Sequence, residues 1–127
     1  MPLPLHFTAR VISGAGRGRA LGVPTVNLDL PDVSRELTHG LFAGWVTVEE
    51  TRYPMTLHYG PRPTFADTMS CEVHVIDHVL PSAPEKVTVD VIEFLRRIQK
   101  FPSAEALQKQ MTEDVRRARK ILQSLAP

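Results

Sequence analysis

The residues from Gly14 to Pro31, GAGRGRALGVPTVNLDLP, put three closely spaced glycines and two arginines ahead of Pro-Thr-Val-Asn. Glycines at 14, 16 and 18 let backbone N–H groups approach an anion closely, and Arg17 and Arg19 add positive charge beside them. A Walker loop needs Gly-Lys followed by Ser or Thr, and no Gly-Lys occurs in the run. A dinucleotide fingerprint needs a helix opening directly after the glycines, and Pro24 follows too soon. A protein-kinase glycine loop needs a far longer chain around it. The physical content survives. Thr25 offers a hydroxyl and Asn27 an amide oxygen, two residues apart on a segment that is extended after Pro24, so both point the same way. Two neutral oxygens together with phosphate oxygens suit magnesium. A plain glycine-arginine surface loop followed by a strand accounts for the same residues, and on this stretch alone both accounts stand.

These residues need elements to hold them. Phe7–Ser13 reads as a strand. Leu41–Glu49 is rich in strand formers, and Tyr53–Tyr59 returns as its hairpin partner, with Pro54 at a strand start or edge. Apolar and polar residues alternate over Cys71–Ile76 and again over Val87, Val89 and Val91. Gly-Pro and Pro-Ser clusters separate these runs, which predicts a small barrel or sandwich. From Ser103 the period changes: Leu107, Met111, Val115, Ala118, Leu122 and Leu125 make a helical stripe that Ile121 broadens. Ser103 suits the N-cap, and Arg116, Arg117, Arg119 and Lys120 read as a solvated surface matched to the helix dipole. In the Cys71–Ile76 strand Glu72 shares a face with His74, opposite the core face of Cys71, Val73 and Val75. A strand glutamate so placed is usually solvent-exposed.

The chain has 127 residues, the size of one domain spanning 1–127, with 43% hydrophobic and 23% charged residues. A net charge of +1 supplies no field that would draw it to nucleic acid or an anionic membrane. Aromatics are only 6%, too few for a stacking platform on single strands. One cysteine, Cys71, rules out an internal disulfide and favours a cytoplasmic address. No run approaches the ~20 apolar residues of a membrane span.

In order and spacing, five segments resemble the riboflavin kinase (flavokinase) family. GAGRGRALGVPTVNLDLP resembles its glycine-rich segment and Pro-Thr-Ala-Asn motif, with Val26 replacing alanine. GLFAGWV (40–46), GPRPTF (60–65) and CEVHVID (71–77) are similar to its successive strands and turn, and 91–119 to its closing strand, loop and helix. The resemblance implies an all-β fold, a six-stranded antiparallel Greek-key-type barrel with one C-terminal helix. It implies transfer of the γ-phosphoryl group of ATP to the 5′-hydroxyl of riboflavin, giving FMN and ADP with magnesium. Carried over by motif, Glu72 is the base, Thr25 and Asn27 serve the metal, and Gly14, Gly16, Arg19 and Thr25 line the nucleotide. Arg96, Gln99, Phe101 and Ser103 meet the flavin. Four departures stand out, one being Arg97 and Ile98 in place of a more acidic pair. HVLPSAPEK (78–86) replaces an Asp-Leu-Tyr-Gly-like loop near the substrates, TLHYG (56–60) replaces an Asn-Ile-Gly-like run, and Pro102 replaces a frequent aspartate. They keep a second expectation open, a flavin- or nucleotide-binding regulatory barrel without turnover. Bacterial relatives often fuse this module to an adenylyltransferase domain that makes FAD. The length leaves no room for one, so the expectation is a stand-alone kinase, or a module excised from a protein whose remainder is that domain.

Overall fold

The computed structural model describes residues 2–12, 25–62, 68–80 and 83–125. Among these residues six strands, β1 (Leu5–Ile12), β2 (Thr25–Leu28), β3 (Gly40–Val48), β4 (Thr51–Pro61), β5 (Met69–Val75) and β6 (Lys86–Arg96), precede one helix, α1 (Ala104–Leu125). The strands close into a barrel in the order β1-β2-β5-β4-β3-β6, and every pairing is antiparallel. The expected all-β barrel with a C-terminal helix is therefore what the chain forms. A short 3-10 turn at Leu30–Asp32 follows β2, which the sequence pattern did not announce. Among the described residues no helix is long and apolar enough to cross a membrane.

The barrel interior is filled by alternate residues, among them Val26 and Leu28 of β2, Leu57 of β4, Val73 and Val75 of β5, and Val87, Val89 and Val91 of β6. Strand β3 breaks the alternation: its first five residues, Gly40 to Gly44, are all buried, because both faces are covered there. Phe42 and Val46 point into the barrel, while Leu41 and Ala43 join Ile76, Leu95 and Ala118 in a second core under α1. Gly44 permits this crossing: a Cβ there would stand 2.0 Å from the Asp90 carbonyl oxygen of β6. Pro54 is the fourth residue of β4 and pairs with Trp45. Strand β5 ends at Val75 opposite Met55, yet the Ile76 N–H still donates to the Pro54 carbonyl at 2.9 Å, so Pro54 stands inside its strand with a neighbour on both sides, not at the start or edge expected.

Helix α1 begins as the sequence predicts. Ser103 Oγ accepts a hydrogen bond from the Ala106 N–H at 3.1 Å, and the Ser103 carbonyl oxygen accepts one from the Leu107 N–H. The basic cluster needs correction. The helix runs on to Leu125 and its last turn carries no basic residue, so the cations sit too far back to meet the dipole's end. They have specific partners instead. Arg116 pairs with Glu113, Arg117 donates to the Leu95 carbonyl, and Arg119 makes two bonds of 2.8 Å to Asp77 just after β5. Leu125, placed on the apolar stripe by spacing, stays exposed.

Candidate functional site

Strand β2 is only four residues long, yet it lies between β1 and β5 and is therefore paired on both sides. Its alternation buries Val26 and Leu28 in the barrel and turns Thr25 and Asn27 outward. The β2–β5 register sets Thr25 opposite His74 and Asn27 opposite Glu72. On the other side of β5, β4 sets Thr56 opposite His74 and His58 opposite Glu72. Side chains directly opposite in an antiparallel pair have Cβ atoms ~5 Å apart. Glu72 thus stands in a row, Asn27–Glu72–His58, and is partly buried there rather than solvated as an isolated strand glutamate would be.

Arg62, directly after β4, completes the cluster. Its backbone N–H donates to the Thr68 carbonyl at 2.9 Å, closing the base of the β4–β5 connection. Its Nε lies 3.5 Å from Glu72 Oε1, in ion-pair range but without hydrogen-bond geometry. Among the described residues, two buried side-chain polar atoms have no hydrogen-bond partner, Asn27 Oδ1 and Arg62 Nε, and both flank Glu72. His58 is tied down by contacts to the Pro61 carbonyl oxygen at 3.2 Å and to Ser70 Oγ at 3.4 Å. Burial lowers the His58 pKa below its usual value, against an opposing pull from Glu72, and burial lowers that of His74 as well. Cys71 faces the core, and desolvation pushes its thiol up to about 12, which removes it as a nucleophile.

The second expected group lies where β6 meets α1. Arg96 ends β6 and is held by Asp114 through bonds of 2.9 and 2.7 Å. This pair is largely buried, with side chains 15% and 3% exposed, and Gln110 donates a further bond to Asp114. The Arg96 guanidinium also stands 5.6 Å from the Phe101 ring centroid. Arg96 is therefore a joint between barrel and helix, not the exposed strand end that its position suggests. Gln99 is exposed in the connection and Ser103 is engaged as the cap. Gly60 lies between the two groups: a Cβ there would be 3.2 Å from Ile98 Cγ1, and its φ of +143° is one that favours glycine. Gly14, Gly16 and Arg19 lie outside the described residues.

The structure thus gathers Thr25, Asn27 and Glu72 on one outer face of β2–β5–β4, and Arg96 and Phe101 at its neighbouring joint. Sequence reasoning missed Arg62, His58 and Asp114 as members. The β4–β5 register, which pairs Pro61 with Met69, counts His58 to Glu72. Among the described residues, no three His, Cys, Asp or Glu side chains gather as a metal cage. The orphaned Asn27 Oδ1, a hard neutral oxygen beside Thr25, nevertheless fits a magnesium ion that brings phosphate oxygens with it.

A family model described as "Flavokinase: Riboflavin kinase" matches residues 1–122. The chain is 33% identical over 118 residues to a bifunctional riboflavin kinase/FMN adenylyltransferase of Pseudomonas fluorescens, covering 91% of this chain and 38% of that protein. It is 30% identical over 116 residues to a trifunctional protein, RibF/MnmA, of Mycoplasmoides gallisepticum, covering 91% of this chain and 18% of that one. The chain therefore spans less than two-fifths of the length of these relatives. The crystal structure of riboflavin kinase from Trypanosoma brucei superposes with a TM-score of 0.67 at 23% identity, covering 94% of this chain and 80% of that one, and shares its fold. With the family match running almost end to end over this barrel and helix, the chain belongs to the riboflavin kinase family.

Proposed function

We propose that this chain transfers the γ-phosphoryl group of ATP to the 5′-hydroxyl of riboflavin, giving FMN and ADP. The observation that carries the proposal is the β2–β5 register, which puts Asn27, whose Oδ1 has no partner among the described residues, directly opposite Glu72. Phosphoryl transfer asks a protein mainly for positioning and charge neutralisation. A primary alcohol is a poor nucleophile at neutral pH, and a carboxylate in hydrogen-bond reach accepts its proton as the new bond forms. Glu72 takes that role. The phosphorus bond to the ADP oxygen breaks, the bond to the ribityl oxygen forms, and the hydroxyl proton passes to the Glu72 carboxylate.

Thr25 and Asn27 would hold magnesium, which when bound offsets negative charge on the phosphate oxygens. Both donors are neutral, so their own affinity for the ion is weak and the nucleotide supplies the remaining oxygens. Gly14, Gly16 and Arg19, together with Thr25, are assigned to the nucleotide. The flavin is assigned to the joint of Arg96, Gln99, Phe101 and Ser103. There Arg96 steadies the Phe101 ring, and the Ser103 hydroxyl, an acceptor in the cap, keeps its own proton for a ligand. The cytoplasmic address and the absence of nucleic-acid and membrane partners belong to the same proposal.

Incubation with riboflavin, ATP and magnesium, followed by mass spectrometry, tests the activity. FMN should accumulate in step with ADP. Quenching of riboflavin fluorescence with no FMN formed would replace the kinase with a binding barrel that lacks turnover.

A further inference from the structure

We propose that Arg62 is a further catalytic residue, the cation that contacts the phosphoryl group in transit to the flavin hydroxyl. The two orphaned buried atoms are of opposite kinds. Among the described residues, Asn27 Oδ1 is an acceptor without a donor, and Arg62 Nε is a donor without an acceptor. They stand on either side of one carboxylate, Asn27 across the β2–β5 pair and Arg62 at 3.5 Å from Glu72 Oε1. Burying polar atoms unpaired costs free energy, so such pairs of atoms mark a place built for a group outside the chain. One that satisfies both presents a cation to Asn27 and anionic oxygens to Arg62, which is the character of a metal-bound phosphate.

Other described cations nearby are committed elsewhere. The Arg96 guanidinium is held at both ends of the Asp114 carboxylate. Burial lowers the His58 pKa and favours the neutral ring. The main chain at Arg62 is also held by its bond to Thr68. The inference rests on the kinase reading, which brings the migrating phosphorus next to the oxygen that Glu72 deprotonates. A guanidinium within ion-pair distance of Glu72 is then close to the equatorial oxygens, where charge spreads as the phosphorus leaves ADP for the alcohol. Glu72 holds the side chain in that neighbourhood without consuming its Nε proton.

Arg62→Met and Arg62→Lys test this, with thermal unfolding of both as the check on folding. Binding is measured by calorimetry in magnesium, with ADP and with a non-hydrolysable β,γ-methylene ATP analogue, so no turnover is needed. Wild type should prefer the triphosphate analogue over ADP by about tenfold or more. Arg62→Met should abolish that preference while ADP affinity stays within about threefold, and Arg62→Lys should restore part of it. Turnover of Arg62→Met should fall about 100-fold or more with KM for riboflavin little changed. An intact preference, or equal loss of ADP and analogue binding, overturns the proposal. If Arg62→Met fails to fold, the same comparison in Arg62→Lys decides. Full turnover by Glu72→Gln would remove the base assignment alone, since the binding comparison on Arg62 reads independently of it.

Discussion

Glu72 and Cys71 are adjacent in sequence and opposite in fate. The pleat sends Cys71 into the barrel, where desolvation keeps it a thiol, and sends Glu72 outward between Asn27 and His58. Only the outward residue can meet a substrate hydroxyl. Glu72→Gln keeps the shape and removes the proposed base. Turnover should fall about 100-fold or more, the scale of losing a general base. Riboflavin and magnesium-ADP should bind within about threefold of wild type, because neither contact needs the carboxylate's proton affinity. Steady-state kinetics with parallel calorimetry checks this. Unchanged turnover would hand the proton to another group, and a matching loss of binding would make Glu72 a scaffold residue.

At the scale of elements, the site depends on a four-residue strand and on the joint between β6 and α1. Removing the Asp114 carboxylate leaves the Arg96 guanidinium largely buried beside Leu41 and without its counter-charge. Asp114→Ala should cost about 3 kcal/mol of stability, as broken buried pairs do, and adding Arg96→Met should recover most of it. Urea denaturation of the two single variants and the double variant checks the pair. An Asp114→Ala midpoint equal to wild type would show that Arg96 finds water or another partner. The sequence made most elements legible, for physical reasons that also mark its limit. Val87, Val89 and Val91 alternate because one face of β6 fills the barrel, and the stripe of α1 repeats because one face covers β3. Thr25 and Asn27 were readable as sharing a face, since that follows from local geometry. Their meeting with Glu72 was not, because register is set by pairing between distant strands. The same holds for Arg62, which needs the β4–β5 register, and for Asp114, whose partner is 18 residues away in sequence. The role expected of Glu72, and the assignment of Gly14 and Gly16 to a nucleotide rather than to any anion, came from family resemblance and not from the pattern.

Over the whole molecule, a closed barrel leaves its outer face as the place where polar groups gather between strands. His58 and His74 lie there on either side of the β4–β5 pairing, partly covered by Thr25, Thr56, Glu72 and Arg62. That cover couples global stability to pH. Burial lowers both histidine pKa values in the folded protein below the ordinary 6.5. For His58, Glu72 opposes the shift, while Arg96 and Arg62 add to it. Below that ordinary value the unfolded chain binds more protons than the folded one, so stability falls as pH falls. The contribution is complete above pH 6.5 and is lost as pH drops through the folded values. Each site contributes a slope of no more than about 1.4 kcal/mol per pH unit. Asp32, Asp77 and Glu113 are also lowered, chiefly by hydrogen bonds from arginines. They are exposed carboxylates whose loss begins only near their ordinary values of 3.8 to 4.5, well below the histidine window. Urea midpoints measured from about pH 7.5 to about pH 5 should therefore decline, and His74→Gln should flatten the decline without touching the Asn27–Glu72 row. A flat wild-type profile across that range would mean that both imidazoles protonate in place, and that the outer face is wetter than its packing indicates.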